Sequence, residues 1–281
     1  MTQPSRLHEQ IFRSGSKTYF NSSIFFPPDV RRDVFVLYGF VRTADNFVDA
    51  VPQDAEGFSA FVDRYRQARE GVETDDPVID SFVELAERKD FDAAWTEAFL
   101  ASMEMDLHKR SYHTIDETLH YIYGSAEVIG LYMARILDLS PDSHPAAMML
   151  GRAMQYINFI RDINEDNGFG RTYLPIHEAP LPDLRQETAE ANRETFLRFI
   201  RDQIARYSEW QRQAEEGFRY IPKRYLIPIK TASAMYNWTS RVIEADPFVV
   251  YRRKVKPSRP RIVVQALSNA LRPAQGVMAR G

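Results

Sequence analysis

Apolar residues recur at three- and four-residue intervals along most of this chain, and strict alternation is scarce. The pattern predicts helices rather than strands. Pro27-Pro28-Asp29 opens the clearest one, because proline is tolerated in a first turn and an acid suits the positive helix end. Val34, Leu37, Val41 and Val48 supply apolar surface along it, and Pro52 closes the exit near Asp49. Further helices are expected at 6–14, 55–70, 76–88, 91–109, 116–138, 145–167, 188–217, 224–244 and 260–271. Breaks fall at Pro77, Pro141, the run from Pro175 to Pro182, and Pro222. No repeat or shift of composition divides the chain. The expected architecture is one all-α domain over 1–281, ending in a basic segment at 252–281.

Composition narrows the function classes. An apolar content of 44% is ample for a sizeable core, and a net charge of -3 gives no general pull toward nucleic acid. The chain has no cysteine, which excludes disulfides, thiolate metal sites and cysteine nucleophiles. The six histidines are scattered, which argues against a histidine zinc site. The first residues show no apolar run behind a basic start, and no stretch of about 18 apolar residues occurs. A cytoplasmic protein is expected.

Two stretches carry candidate chemistry. In Gln155 to Pro175, Asn158, Asp162 and Asp166 stand four residues apart, with Arg161 and Glu165 interleaved. On a helix they fall within about 40° of one line, so they suit hard divalent cations, with arginine available for an attached anion. The same spacing also suits a solvated helix face. In the helix after Pro28, Tyr38, Arg42, Asp45 and Asp49 share a face. Asp45 and Asp49 would repel each other at this spacing without a ligand, although Asp45 could simply pair with Arg42. Together the two stretches describe facing acid helices across a polar cleft. Magnesium ions there could hold a diphosphate.

Four segments resemble the squalene and phytoene synthase family: Ser16-Lys17-Thr18-Tyr19, LYGFVRTADNFVD at 37–49, YGSAEVIG at 123–130, and NFIRDINEDNGFGRTYLP at 158–175. The last is the most specific. The resemblance implies a class I isoprenoid synthase bundle around a central cleft. It assigns metal binding to Asp45, Asp49, Asn158, Asp162 and Asp166, with Mg2+ as the cofactor and Mn2+ as a substitute. Among these residues Asp45, Asp49, Asp162 and Asp166 would be catalytic, together with Tyr173. Arg42, Arg161 and Arg171 would clamp diphosphate, with Ser16, Lys17 and Thr18 in the same substrate site. Tyr38, Gln155 and Tyr173 match positions at the reacting end, and Tyr236 matches a tyrosine that borders the substrate site. Asn46 replaces a second aspartate found in many members, and Glu127 replaces a glycine.

The implied reaction is head-to-head condensation of two allylic isoprenyl diphosphates through a cyclopropylcarbinyl diphosphate. Two geranylgeranyl diphosphates would give phytoene, with no NADPH requirement. Small residues at Ser22 and Ser23, where a bulky side chain would close a pocket, favour the longer substrate. Squalene or dehydrosqualene formation from farnesyl diphosphate is the alternative within the family. A class I cyclase would lack the RTYLP tail, and an inactive assembly factor would have eroded acid motifs. Phe20, Phe25, Phe26, Phe35, Phe40, Ile129 and Met133 are candidates for a dry wall or for plain core. Arg252, Arg253, Lys254, Lys256, Arg259 and Arg261 precede an amphipathic helix. They suit peripheral docking on an anionic membrane, closure of the diphosphate cleft, or simply a solvated face.

Overall fold

A computed structural model describes residues 26–271. The expected helix at 6–14 and the candidate residues Ser16, Lys17, Thr18, Ser22 and Ser23 lie outside the described residues, as do Phe20 and Phe25. Within the described range the regular elements are helical, with one isolated bridge between Ser111 and Thr172.

Prolines and capping side chains set the helix starts. Helix α1 runs Pro28–Asp49, with proline in its first turn. Helices α2 (Ala55–Arg69), α3 (Pro77–Arg88) and α4 (Ala93–His108) follow Asp54, Asp76 and Asp92. Each of these carboxylates accepts a backbone N–H that has no partner inside its own helix. Thr114 does the same for α5 (Ile115–Ile122).

The expected helix at 116–138 is not uniform. After α5 the chain widens into a π-helical turn, Tyr123–Glu127, before α6 (Val128–Ile136). That turn is pressed between α4 and α7 (His144–Arg161). A Cβ on Gly124 would lie 2.0 Å from the Ala98 carbonyl oxygen, so only glycine fits the approach. The expected helix at 145–167 divides at Asp162 into α7 and α8 (Ile163–Gly168). The division is slight, because the amides of Asp162 and Asp166 still donate to the carbonyls four residues back, at 2.8 and 2.9 Å. Helix α9 (Gln186–Ala191) breaks at Asn192 before α10 (Arg193–Glu216), and α11 spans Lys223–Ala245. A short α12 (Val249–Arg252), unforeseen in the periodicity, precedes α13 (Arg259–Leu271).

Helix α1 packs on α2, α3, α4 and α6, while α7 packs on α6, α10 and α11. Phe40 of α1 stacks on Phe82 at a centroid distance of 3.8 Å and also meets Phe61, Tyr65 and Phe99. It therefore belongs to the core rather than to a cavity wall. Glu127, the charge without an assignment in the sequence, is buried and accepts from Arg152 Nε at 2.7 Å. The Arg152 guanidinium lies over the Trp210 ring.

Candidate active site

The acids of α1 stand beside its most deeply buried positions. Ala44 and Val48 are fully buried, so their neighbours Asp45 and Asp49 emerge at the edge of the core. Arg42 pairs with Asp45 one turn away. From the other side, Gly170 takes a positive φ of 67°, and the turn brings the chain back into the bundle at Arg171. The Arg171 amide donates to the Asp166 carbonyl at 2.8 Å. Its buried guanidinium reaches α1, where Nη1 donates to Asp49 Oδ1 at 2.9 Å and Nη2 to the Val48 carbonyl at 2.6 Å. The two acid segments are thus joined through one arginine.

Crowded carboxylates and burial set the electrostatics. Burial, the Asp49 charge and Asp106 push Asp45 up to about 7, against the opposing pull of Arg42. Burial, Asp162 and Glu165 push Asp166 up to about 8, with Arg171 opposing. Burial carries the Tyr38 hydroxyl up to about 12. Arg161 pairs with its neighbour Asp162. Gln155 lies half-buried one turn before Asn158, and Tyr236 is buried on α11, which packs against α7.

The basic segment is partly drawn into this site. Lys254 Nζ lies 3.6 Å from Asp162 Oδ1 and pairs with Glu165. Burial and the charges of Lys254 and Arg161 lower the pKa of Lys256. Arg252 pairs with Asp246, and Arg261 covers the Trp238 ring. Of the readings of these residues, this placement favours cleft closure for Lys254.

Tyr173 is buried beside Arg171, whose Nη1 donates to its hydroxyl at 3.3 Å. It is 7% exposed, its ring stacks on Phe159 at 4.5 Å, and its hydroxyl donates to Asp106 Oδ1 at 2.7 Å. Asp106 was absent from the expected site. Its signal was an acid in register with Phe99 and Met103 on the buried face of α4, a position where an unpaired charge is costly. The same carboxylate accepts the Tyr121 hydroxyl at 2.6 Å.

The donor set fits a divalent cation held with an anion. Asn158 Oδ1 is buried without a hydrogen-bond partner, and so is Arg171 Nε. One is an oxygen acceptor that a cation would satisfy, the other a donor that an anion would satisfy. Asp45 and Asp166 hold protons more tightly than ordinary carboxylates, because they are buried and also face neighbouring negative charge. Among the described residues, no three acids or histidines are grouped closely enough to hold a metal by themselves. Magnesium does not require such a cage, since one or two carboxylates plus substrate phosphates complete its shell.

The fold and site together define a class: an all-helical synthase-type bundle with two acid-and-arginine segments meeting at a buried guanidinium. Comparison with known proteins narrows the class. Residues 12–261 match the family described as squalene/phytoene synthase. The 15-cis-phytoene synthase of Enterobacter agglomerans is 32% identical over 236 residues, covering 79% of this chain and 80% of that one. The enzyme of the same name from Synechocystis sp. is 27% identical, covering 90% and 80%. A crystal structure of a dehydrosqualene synthase in complex with ligand superposes with a TM-score of 0.80 at 20% identity, covering 94% of each chain. This chain belongs to the squalene/phytoene synthase family. Enzymes of that family act on prenyl diphosphates and generally depend on a metal.

Proposed function

We propose that the protein is a prenyltransferase that joins two molecules of geranylgeranyl diphosphate head to head, giving phytoene. The observation that carries this reading is the match to 15-cis-phytoene synthases over most of the chain. The meeting of Asp49, Asp166 and Arg171 supplies a place for the diphosphate chemistry.

In this reading Asp45 and Asp49 from α1, and Asn158, Asp162 and Asp166 from α7 and α8, hold Mg2+. When bound, the metal neutralises charge on the departing diphosphate. Arg42, Arg161 and Arg171 donate to the diphosphate oxygens, and charge-assisted bonds of this kind strengthen as the leaving group gains charge. Loss of the first diphosphate leaves an allylic cation. The double bond of the second molecule attacks it, and loss of one proton closes a cyclopropylcarbinyl diphosphate. Ionisation of the second diphosphate, rearrangement and loss of another proton give the hydrocarbon. Phe159 on α7 and Tyr236 on α11 are buried, and rings of this kind beside the site would keep water from the cation. No step needs a hydride, so NADPH has no place in the reaction.

The deciding experiment offers the purified protein and Mg2+ either geranylgeranyl or farnesyl diphosphate and identifies the hydrocarbon. Phytoene is the expected product. A product formed only from farnesyl diphosphate would overturn the choice of substrate.

We also propose peripheral contact with anionic membrane through α13. Its outer side exposes Val263, Val264, Leu267 and Leu271 beside Arg259. Such a strip with flanking charge suits a lipid interface. Replacing Val264 and Leu267 by glutamate in the full chain should abolish co-sedimentation with anionic vesicles. Unchanged co-sedimentation would remove this surface from consideration. Among the described residues, no helix is long and apolar enough to cross a membrane.

A further inference from the structure

We infer that Asp106 is a positioning residue of this site: a buried acid that presets Arg171 and Tyr173 for diphosphate. The inference rests on the diphosphate reading given above. Asp106 is 2% exposed, and each of its acceptors is engaged. Oδ1 accepts from Tyr173 and Oδ2 from Tyr121. Its carbonyl accepts from Gln53 Nε2 at 2.9 Å and, more distantly, from Arg171 Nη2 at 3.4 Å. Gln53 also donates to the Val48 carbonyl at 2.6 Å, tying α4 to the end of α1.

A merely structural acid is the competing explanation. Apolar residues of similar volume usually stabilise a core at least as well as a buried charge. What sets Asp106 apart is where its partners lead. Arg171 Nη1 donates to the Tyr173 hydroxyl at 3.3 Å, so the arginine and the carboxylate are linked through one phenol. Phe159 and Tyr112 stack on the Tyr173 ring and fix its plane. The hydroxyl is then anchored by Asp106. Asp106 also contributes negative charge at both Asp45 and Asp166, so it lies close enough to act on both acid segments.

This arrangement has a consequence for binding. Once Asp49 turns to a cation, Arg171 loses one partner. The Val48 and Asp106 carbonyls and the Tyr173 hydroxyl still hold its guanidinium in place. The arginine can then receive diphosphate without first being ordered, and that lowers the entropy cost of binding.

The test compares full-length Asp106→Asn, Tyr173→Phe, Tyr121→Phe and the Asp106→Asn/Tyr173→Phe double variant. Affinity for inorganic diphosphate with Mg2+ is measured by calorimetry, alongside kcat and melting temperature. Loss of such an outer partner typically costs about 10–100-fold. Asp106→Asn should fall in that range in diphosphate affinity and in kcat, and the double variant should be no worse. Tyr121→Phe removes a donor from the same carboxylate without touching Arg171. It should lose stability and keep wild-type affinity. Equal losses in Tyr121→Phe and Asp106→Asn, or wild-type diphosphate affinity in Asp106→Asn, would overturn the inference. Should Asp106→Asn fail to fold, Tyr173→Phe cuts the same link, and unchanged affinity there refutes it equally. A wild type that binds diphosphate yet yields no hydrocarbon would remove the proposed reaction and leave this inference standing.

Discussion

Asp166 shows how much a single side chain depends on its backbone. Its place before Gly168 exposes it to fraying at a helix end. Two hydrogen bonds prevent that: its amide donates to the Asp162 carbonyl, and its carbonyl accepts the Arg171 amide. Its carboxyl is pushed up to about 8 and that of Asp45 to about 7, both from 3.8. The folded chain therefore retains protons that the unfolded chain releases. That favours folding below about pH 4 to 5, and the advantage fades as pH rises toward 8. In metal-free protein, Asp166→Asn should raise the melting temperature relative to wild type, by a margin that widens from pH 5 to pH 8. A constant margin would show that the Asp166 carboxyl is not held above its ordinary range. Asp162→Asn should leave the fold intact and lower turnover by at least about a hundredfold, beyond the usual loss of an outer partner. Unchanged turnover would refute the proposed metal site.

At the level of elements, the three- and four-residue periodicity placed most helices within a residue or two. It missed the π-helical turn and the interruptions at Asp162 and Asn192. Periodicity reports which face is apolar, and small deviations in winding leave that face unchanged. The π-helical turn lies where α4 and α7 approach through glycines. Gly124→Ala should cost about 1–3 kcal/mol in denaturant unfolding, as overpacking does, because the obstructing atom is a backbone oxygen. At the end of the same turn, Glu127 is fully buried against Arg152. Arg152→Leu should destabilise by about 3 kcal/mol or more by stranding that carboxylate. Adding Glu127→Gln should recover part of the loss. No recovery would mean that Arg152 acts through its contact with Trp210 instead.

For the whole molecule, the segment after α11 is part of the core. Phe248, Val249, Val250, Tyr251 and Val255 are buried, and Tyr251 donates to the Leu184 carbonyl at 2.7 Å. A chain ending at Asp246 should lose cooperative unfolding, as calorimetry would show, so membrane contact is better tested by substitution than by truncation. Helix content, the two acid motifs and the family resemblance were all present in the linear order of residues. They rest on local spacing, which is set by 100° per residue whatever lies alongside. Tertiary structure alone decided that Arg171 bridges to Asp49, that Lys254 turns toward Asp162, and that Tyr173 faces Asp106. Those partners lie 122, 92 and 67 positions apart in the chain. No periodicity links residues so far apart. Packing of α4 against the end of α1, the turn at Gly170, and burial of the segment after α11 bring them together.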